Sequence, residues 1–171
     1  MVATDSWTIY WQADHPDSCI ATGAVHDADT ISDFWQSFAQ STAAESRVLD
    51  LATGNGTVPL ALLQGNTSLL VTGVDRADID PKKYLASSDL LDPVEFTGGI
   101  DVCELPFAAG AFDVLSSQFG IEYAPLEKAV PAIATVLRSG GRLQFVLHHA
   151  ASDIVVATRK KRKEMEGLLS E

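Results

Sequence analysis

VLDLATGNGT, residues 48–57, is the stretch that decides the fold. Its first half is apolar and reads as a strand. Its second half is small, with Gly54 and Gly56 on either side of Asn55. Glycine weakens the interior of helix and strand alike, and an aspartate such as Asp50 is costly in a core. A strand that stops on a carboxylate, bares its backbone and starts a helix fits one place well. That place is the carboxyl end of the first strand of a doubly wound sheet, where a tight turn meets a ligand.

Outward from this turn, strands and helices alternate. Apolar runs predict strands at 47–51, 68–74, 94–100, 112–116 and 143–148, and near-continuous apolar character is expected where both faces are covered. Helical spacing predicts helices at 56–63, 81–90, 126–137 and 152–169. Pro59 is tolerable in the first turn of its helix, and Ser139-Gly140-Gly141 reads as a helix stop. Short loops between such units give right-handed crossovers. The expected fold is α/β: a doubly wound, mostly parallel, Rossmann-like sheet of about five strands with helices on both faces. An N-terminal segment precedes it. There Trp7, Tyr10 and Trp11 crowd together, and a helix begins at Thr30, which with Asp33 resembles a capping box. Residues 1–45 form this covering segment and residues 46–171 the ligand-binding domain.

Composition narrows the function. The 171 residues are 46% apolar, enough for one domain with a real core. The formal net charge of −11 and an isoelectric point near 4.6 argue against a nucleic-acid partner. Five of the twelve basic residues lie together in 159–163, a solvated helix face. Cys19 and Cys103 are the only cysteines and read as free thiols; no metal-site spacing occurs. Neither a secretory signal nor a long apolar run is present, so a cytoplasmic protein with no membrane partner is expected.

The turn also discriminates between ligands. A dinucleotide fingerprint needs a third glycine where Pro59 stands, and Asp50 would sit badly beside a pyrophosphate. The carboxylate suits a ligand carrying an ammonium group, either by direct contact or by orienting the loop.

The segment DLATGNG resembles the first motif of the class I S-adenosylmethionine-dependent methyltransferases, and later motifs keep step with it over roughly residues 46–150. Asp75 closes VTGVD nineteen residues after Gly56. Asp101 is followed by Leu105-Pro106-Phe107, while Phe112-Asp113-Val114-Leu115 and VLRSGGRLQF (136–145) match the fourth strand and the turn into the fifth. The resemblance implies S-adenosylmethionine as cofactor. It assigns the turn to residues Asp50, Ala52, Thr53, Gly54, Asn55 and Gly56, the ribose to Asp75 with Arg76 beside it, and the adenine to Asp101 and Val102. Gln118 and Phe119 line the pocket, and Tyr10 and Trp11 fold over the cofactor's methionine end.

The implied reaction is in-line methyl transfer to a small-molecule acceptor, which relies mainly on positioning. Glu122, Tyr123, His148 and His149 are the catalytic candidates at the ends of the fourth and fifth strands. Two departures stand out: Ala52 where the family often has glycine, and SSQFGIEYAP (116–125) without an Asn/Asp-Pro-Pro-aromatic sequence. The latter argues against methylation of amino nitrogens of DNA bases or protein glutamine. Two other readings stay open, a non-catalytic cofactor-binding module and a NAD(P)-dependent oxidoreductase. The family adds two antiparallel strands after the last helix. Without them the fifth strand becomes an exposed edge, so self-association through that edge or the final helix is expected.

Overall fold

A computed structural model describes residues 6–12, 25–84 and 89–168. Five parallel strands form its centre: β1 (Arg47–Leu51), β2 (Leu70–Val74), β3 (Glu95–Thr97), β4 (Phe112–Gln118) and β5 (Leu137–Val146). They lie in the order β3-β2-β1-β4-β5, and every pairing is parallel. The order reverses between β1 and β4, and sheets of this kind bind ligands in the crevice at such a switch point.

Alternation along the strands builds two cores. Val48, Val71 and Val114 face α2 (Val25–Gln40) and α3 (Thr57–Gly65), where Trp35, Phe38 and Leu62 are buried. Leu49, Leu51, Val74 and Leu115 face α5 (Leu126–Val136), where Ala129, Ile133 and Val136 are buried. The doubly wound arrangement read from the sequence is therefore the one observed. The remaining helices are α1 (Ser6–Gln12), α4 (Pro81–Tyr84) and α6 (Asp153–Leu168).

Several boundaries differ from expectation for local reasons. Helix α2 starts at Val25, not Thr30; no glycine or proline separates the two, so Thr30 and Asp33 sit inside the helix and not at a cap. Strand β2 starts at Leu70 because the Asn66 carboxamide accepts both the backbone N–H and the hydroxyl of Ser68, which holds that residue in a turn. Strand β3 stops at Thr97, where Gly98-Gly99 interrupts it, although Ile100 N–H still bonds the Asp75 carbonyl. Strand β5 begins at Leu137, directly after α5. Ser139-Gly140-Gly141 is a bulge within it, visible as a register shift opposite Phe112–Val114. Of the helix expected at 81–90, only Pro81–Tyr84 and a 3-10 turn at Asp89–Leu91 are seen, and residues 85–88 lie outside the described residues, as does Cys19.

Among the described residues no helix is long and apolar enough to cross a membrane, and no cluster of side chains could hold a metal ion.

Candidate active site

The turn after β1 is built from left-handed backbone. Ala52, Gly54 and Gly56 have φ of 55°, 52° and 84°. Glycine adopts this region freely and alanine does not, so Ala52 carries strain where the family often has glycine. Its Cβ also packs on the loop after β4: a Cβ added to Gly120 would lie 2.4 Å from that of Ala52. The two loops that frame the crevice are thus locked together by one methyl group and one missing methyl group.

Asp50 does not reach the crevice. It is paired within the ladder between Gly73 and Ser116 and is 1% exposed. The Ser116 hydroxyl donates to its carboxylate at 2.6 Å. Burial pushes its carboxyl up to about 7; the bond from Ser116 and the nearby Thr53 hydroxyl act against this, and Asp75 adds to it. The carboxylate is thus tied to β4 inside the sheet and does not line the cavity.

Asp75 is the first residue past β2. One of its oxygens accepts Gly54 N–H at 2.9 Å and the other Ala77 N–H at 2.8 Å. It therefore ties the glycine turn to the β2 loop. Asp101 is exposed, with one oxygen accepting Cys103 N–H at 2.8 Å. Asp75, Arg76, Asp101 and Val102 all open onto a cavity of about 270 Å³ that also touches Ala52, Thr53, Gln118 and Phe119.

Helix α1 closes this cavity from above. Trp11 packs on the turn; a Cβ on Gly54 would come within 2.4 Å of its ring. Asn55 Nδ2 donates to the Trp11 carbonyl at 3.2 Å, Asp78 N–H to the Thr8 hydroxyl at 3.0 Å, and Trp7 meets Tyr123 edge-on at 5.3 Å. The helix thus touches the loops after β1, β2 and β4. Trp11 lines the cavity, whereas Tyr10 packs edge-on against Trp11 and does not.

The catalytic candidates divide. Tyr123 lines the cavity. Glu122 and His148 form a pair one layer behind it. Glu122 Oε1 accepts from His148 Nδ1 at 2.9 Å and from His148 N–H at 3.2 Å. The Phe119 ring lies over the imidazole at 4.3 Å. Among the described residues, His148 Nε2 is buried without a hydrogen-bond partner, as is Glu122 Oε2. His149 is exposed, and its Nδ1 accepts Ala151 N–H at the approach to α6.

Gly54, Asn55 and Gly56 do not line the cavity. Gly54 admits Trp11, and a Cβ on Gly56 would meet Phe96 and Pro81. Lining residues that sequence reasoning missed include Trp7, Thr57, Val58 and Gly120. Trp7 had a readable signal, standing four residues before Trp11 on the same helical face.

Comparison with known proteins fits this geometry. A model of the methyltransferase-domain family matches residues 48–141, more than half of the chain. A demethylmenaquinone methyltransferase of Thermus thermophilus is 38% identical over 103 residues, covering 58% of this chain and 46% of that protein. The crystal structure of YcgJ from Bacillus subtilis superposes with a TM-score of 0.59 at 28% identity, covering 72% of this chain and 54% of that one. The cyclase SpnF superposes at 0.61 with 22% identity, over 73% of this chain and 48% of its own, a likeness of fold alone. The chain spans about half the length of the curated relatives it matches. With its switch-point crevice, its acidic strand ends and the matched motifs, the chain belongs to the class I S-adenosylmethionine-dependent methyltransferases.

Proposed function

We propose that this chain binds S-adenosylmethionine in the cavity at the β1/β4 switch point and transfers its methyl group to a small-molecule acceptor. One observation carries the reading: Asp75 and Asp101, carboxylates from the ends of two different strands, open onto a single cavity beside a left-handed glycine turn. The donor set fits the cofactor. Asp75 is a carboxylate on the cavity wall, the chemistry that accepts from ribose hydroxyls, exposed Asp101 can accept from the adenine amino group, and Val102 offers an apolar surface to the ring. Bound, the cofactor supplies an electrophilic methyl, so the protein's share is orientation and exclusion of water. Trp7 and Trp11 on α1 serve the exclusion.

An acceptor that loses a proton on methylation needs a base within reach. The Glu122–His148 pair is suited to that task. Glu122 fixes Nδ1 as the donor nitrogen, which leaves Nε2 as the acceptor. Phe119, packed on the imidazole, lines the cavity, so the pair lies one ring away from it. Several relatives are named demethylmenaquinone or ubiquinone/menaquinone C-methyltransferases, so a hydroquinone ring carbon is the first acceptor class to test. Such a carbon exchanges a proton for the methyl group. We place the protein in the cytoplasm on the same reading.

The test is calorimetric titration of S-adenosylhomocysteine and, separately, NADH into the chain and into Asp75→Ala. Saturable binding of the homocysteine nucleoside alone, lost in the variant, is the expected result. Binding of NADH alone would replace this reading with the oxidoreductase one. Cofactor binding without methyl transfer to any acceptor would favour a non-catalytic binding module.

A further inference from the structure

Gln118 ends β4 and lines the cavity, and its carboxamide is held from behind by a residue of α2. The Trp35 indole Nε1 lies 2.7 Å from Gln118 Oε1. An indole N–H can only donate, so the amide oxygen must face it. The orientation of the amide follows from chemistry, and its NH2 is turned away from Trp35. No other hydrogen bond of the Gln118 side chain is made among the described residues. Trp35 is 1% exposed and packed edge-on against Phe34 and Phe38, so the donor that sets the amide is itself fixed.

Placement decides what those N–H groups meet. Asp75, Arg76, Asp101 and Val102 stand on the β2/β3 side of the turn, where the adenosine half of the cofactor fits. Gln118 stands at the end of β4, and in the strand order the β1 turn carrying Ala52 lies between them. A ligand reaching from Asp101 across the turn therefore ends beside Gln118 with its amino-acid portion. Arg76, the one cation lining the cavity among the described residues, follows Asp75 beyond β2. We propose that Trp35 is a positioning residue that presents the Gln118 NH2 to the carboxylate of the cofactor's amino-acid end. This rests on the methyltransferase reading above.

The experiment compares two ligands on the whole chain by calorimetry. S-adenosylhomocysteine carries the carboxylate, whereas 5′-methylthioadenosine keeps the adenosine and thioether but lacks the amino-acid end. Gln118→Leu is expected to weaken the first by about ten- to hundredfold, the range for a hydrogen bond to a charged group, and to leave the second within about twofold. Trp35→Phe keeps an aromatic ring in the core and removes the N–H. It is expected to shift the ratio of the two affinities in the same direction by about three- to tenfold, since the amide remains but is free to turn. A merely structural role for Trp35 would weaken both ligands equally and leave the ratio unchanged. Thermal melts identify a Trp35→Phe protein that fails to fold, and Gln118→Leu, at a cavity-lining position, then decides alone. Unchanged selectivity in Gln118→Leu overturns the proposal while the methyltransferase reading stands. Failure of the unmodified chain to bind either ligand overturns both.

Discussion

Asp50→Asn tests whether a buried carboxylate is the weak point of the sheet. Asp50 is 1% exposed, and burial raises its carboxyl from 3.8 to about 7. The folded chain therefore holds this proton more tightly than the unfolded chain. The associated stability is fully present below the unfolded value and is lost as pH rises through the folded one. The total loss corresponds to roughly 4 kcal/mol at about 1.4 kcal/mol per pH unit. About half of that, roughly 2 kcal/mol, falls between about pH 5.5 and about pH 8.5. Asparagine cannot ionise, and its carbonyl oxygen can still accept from the Ser116 hydroxyl. Thermal melts of both proteins at the two pH values isolate the group, because every other titration cancels in the comparison. Both conditions stay above the isoelectric point near 4.6. The advantage of the variant over the unmodified chain should grow by about 4–8 °C from the lower to the higher pH, given about 2–4 °C per kcal/mol at this size. A difference that is the same at both pH values, or that shrinks on raising pH, would refute the reasoning.

Other consequences follow from single contacts. Gly120→Ala should cost about 1–3 kcal/mol, because the new methyl meets Ala52 Cβ. Adding Ala52→Gly should restore most of that loss in a double-mutant cycle, whereas additive effects would mean the two loops are not locked there. Ala52→Gly by itself should stabilise the chain by about 0.5–1 kcal/mol, since it relieves a left-handed alanine; a lower melting temperature would contradict this. Asp75→Asn should weaken S-adenosylhomocysteine about ten- to hundredfold through loss of a charged acceptor, and unchanged affinity would remove Asp75 from the site. The outer edge of β5 has no strand partner among the described residues, and Leu143 and Leu147 are about half exposed. An unpaired edge of this kind templates pairing with another strand, and we propose that a second copy pairs there. Light scattering should report a dimer that Leu143→Lys dissociates; a monomer at every concentration would end that idea.

The order and type of the strands were legible because a parallel sheet covered on both faces leaves a blunt record: apolar runs of five or so residues, each ending on small or acidic ones. Val48 and Leu49 face opposite cores, yet both had to be apolar. Ends were less legible wherever a side chain competed for backbone. Asn66 holds Ser68 in a turn that its neighbours' hydropathy does not reveal. The β5 bulge read as a helix stop because glycines at a helix end and glycines at a bulge look alike in one dimension. The site was legible as a set of loop positions, not as a set of contacts. Trp35 and Gln118 are 83 residues apart, and no local pattern joins them.

Asp50 and Asp75 carry the same signature, an acid closing an apolar run before a turn, yet the fold treats them differently. Asp50 is still inside the ladder, its backbone flanked by Gly73 and Ser116, so its side chain is sealed and receives a hydroxyl proton. Asp75 stands one residue beyond the last pair of β2, Val74 with Thr97, where backbone N–H groups of two loops turn toward it and the cavity opens. A shift of two residues relative to the strand end separates a carboxylate that holds the sheet from one that can hold a ligand. Alternation returns a side chain to the same face after two residues, so what differs is that Asp50 is paired on both sides while Asp75 lies past the last pair. Hydropathy places a strand end only to within a residue or two, which is as wide as the distinction. The divergent roles of the two aspartates therefore depend on register, and register is set by pairing between segments far apart in the chain.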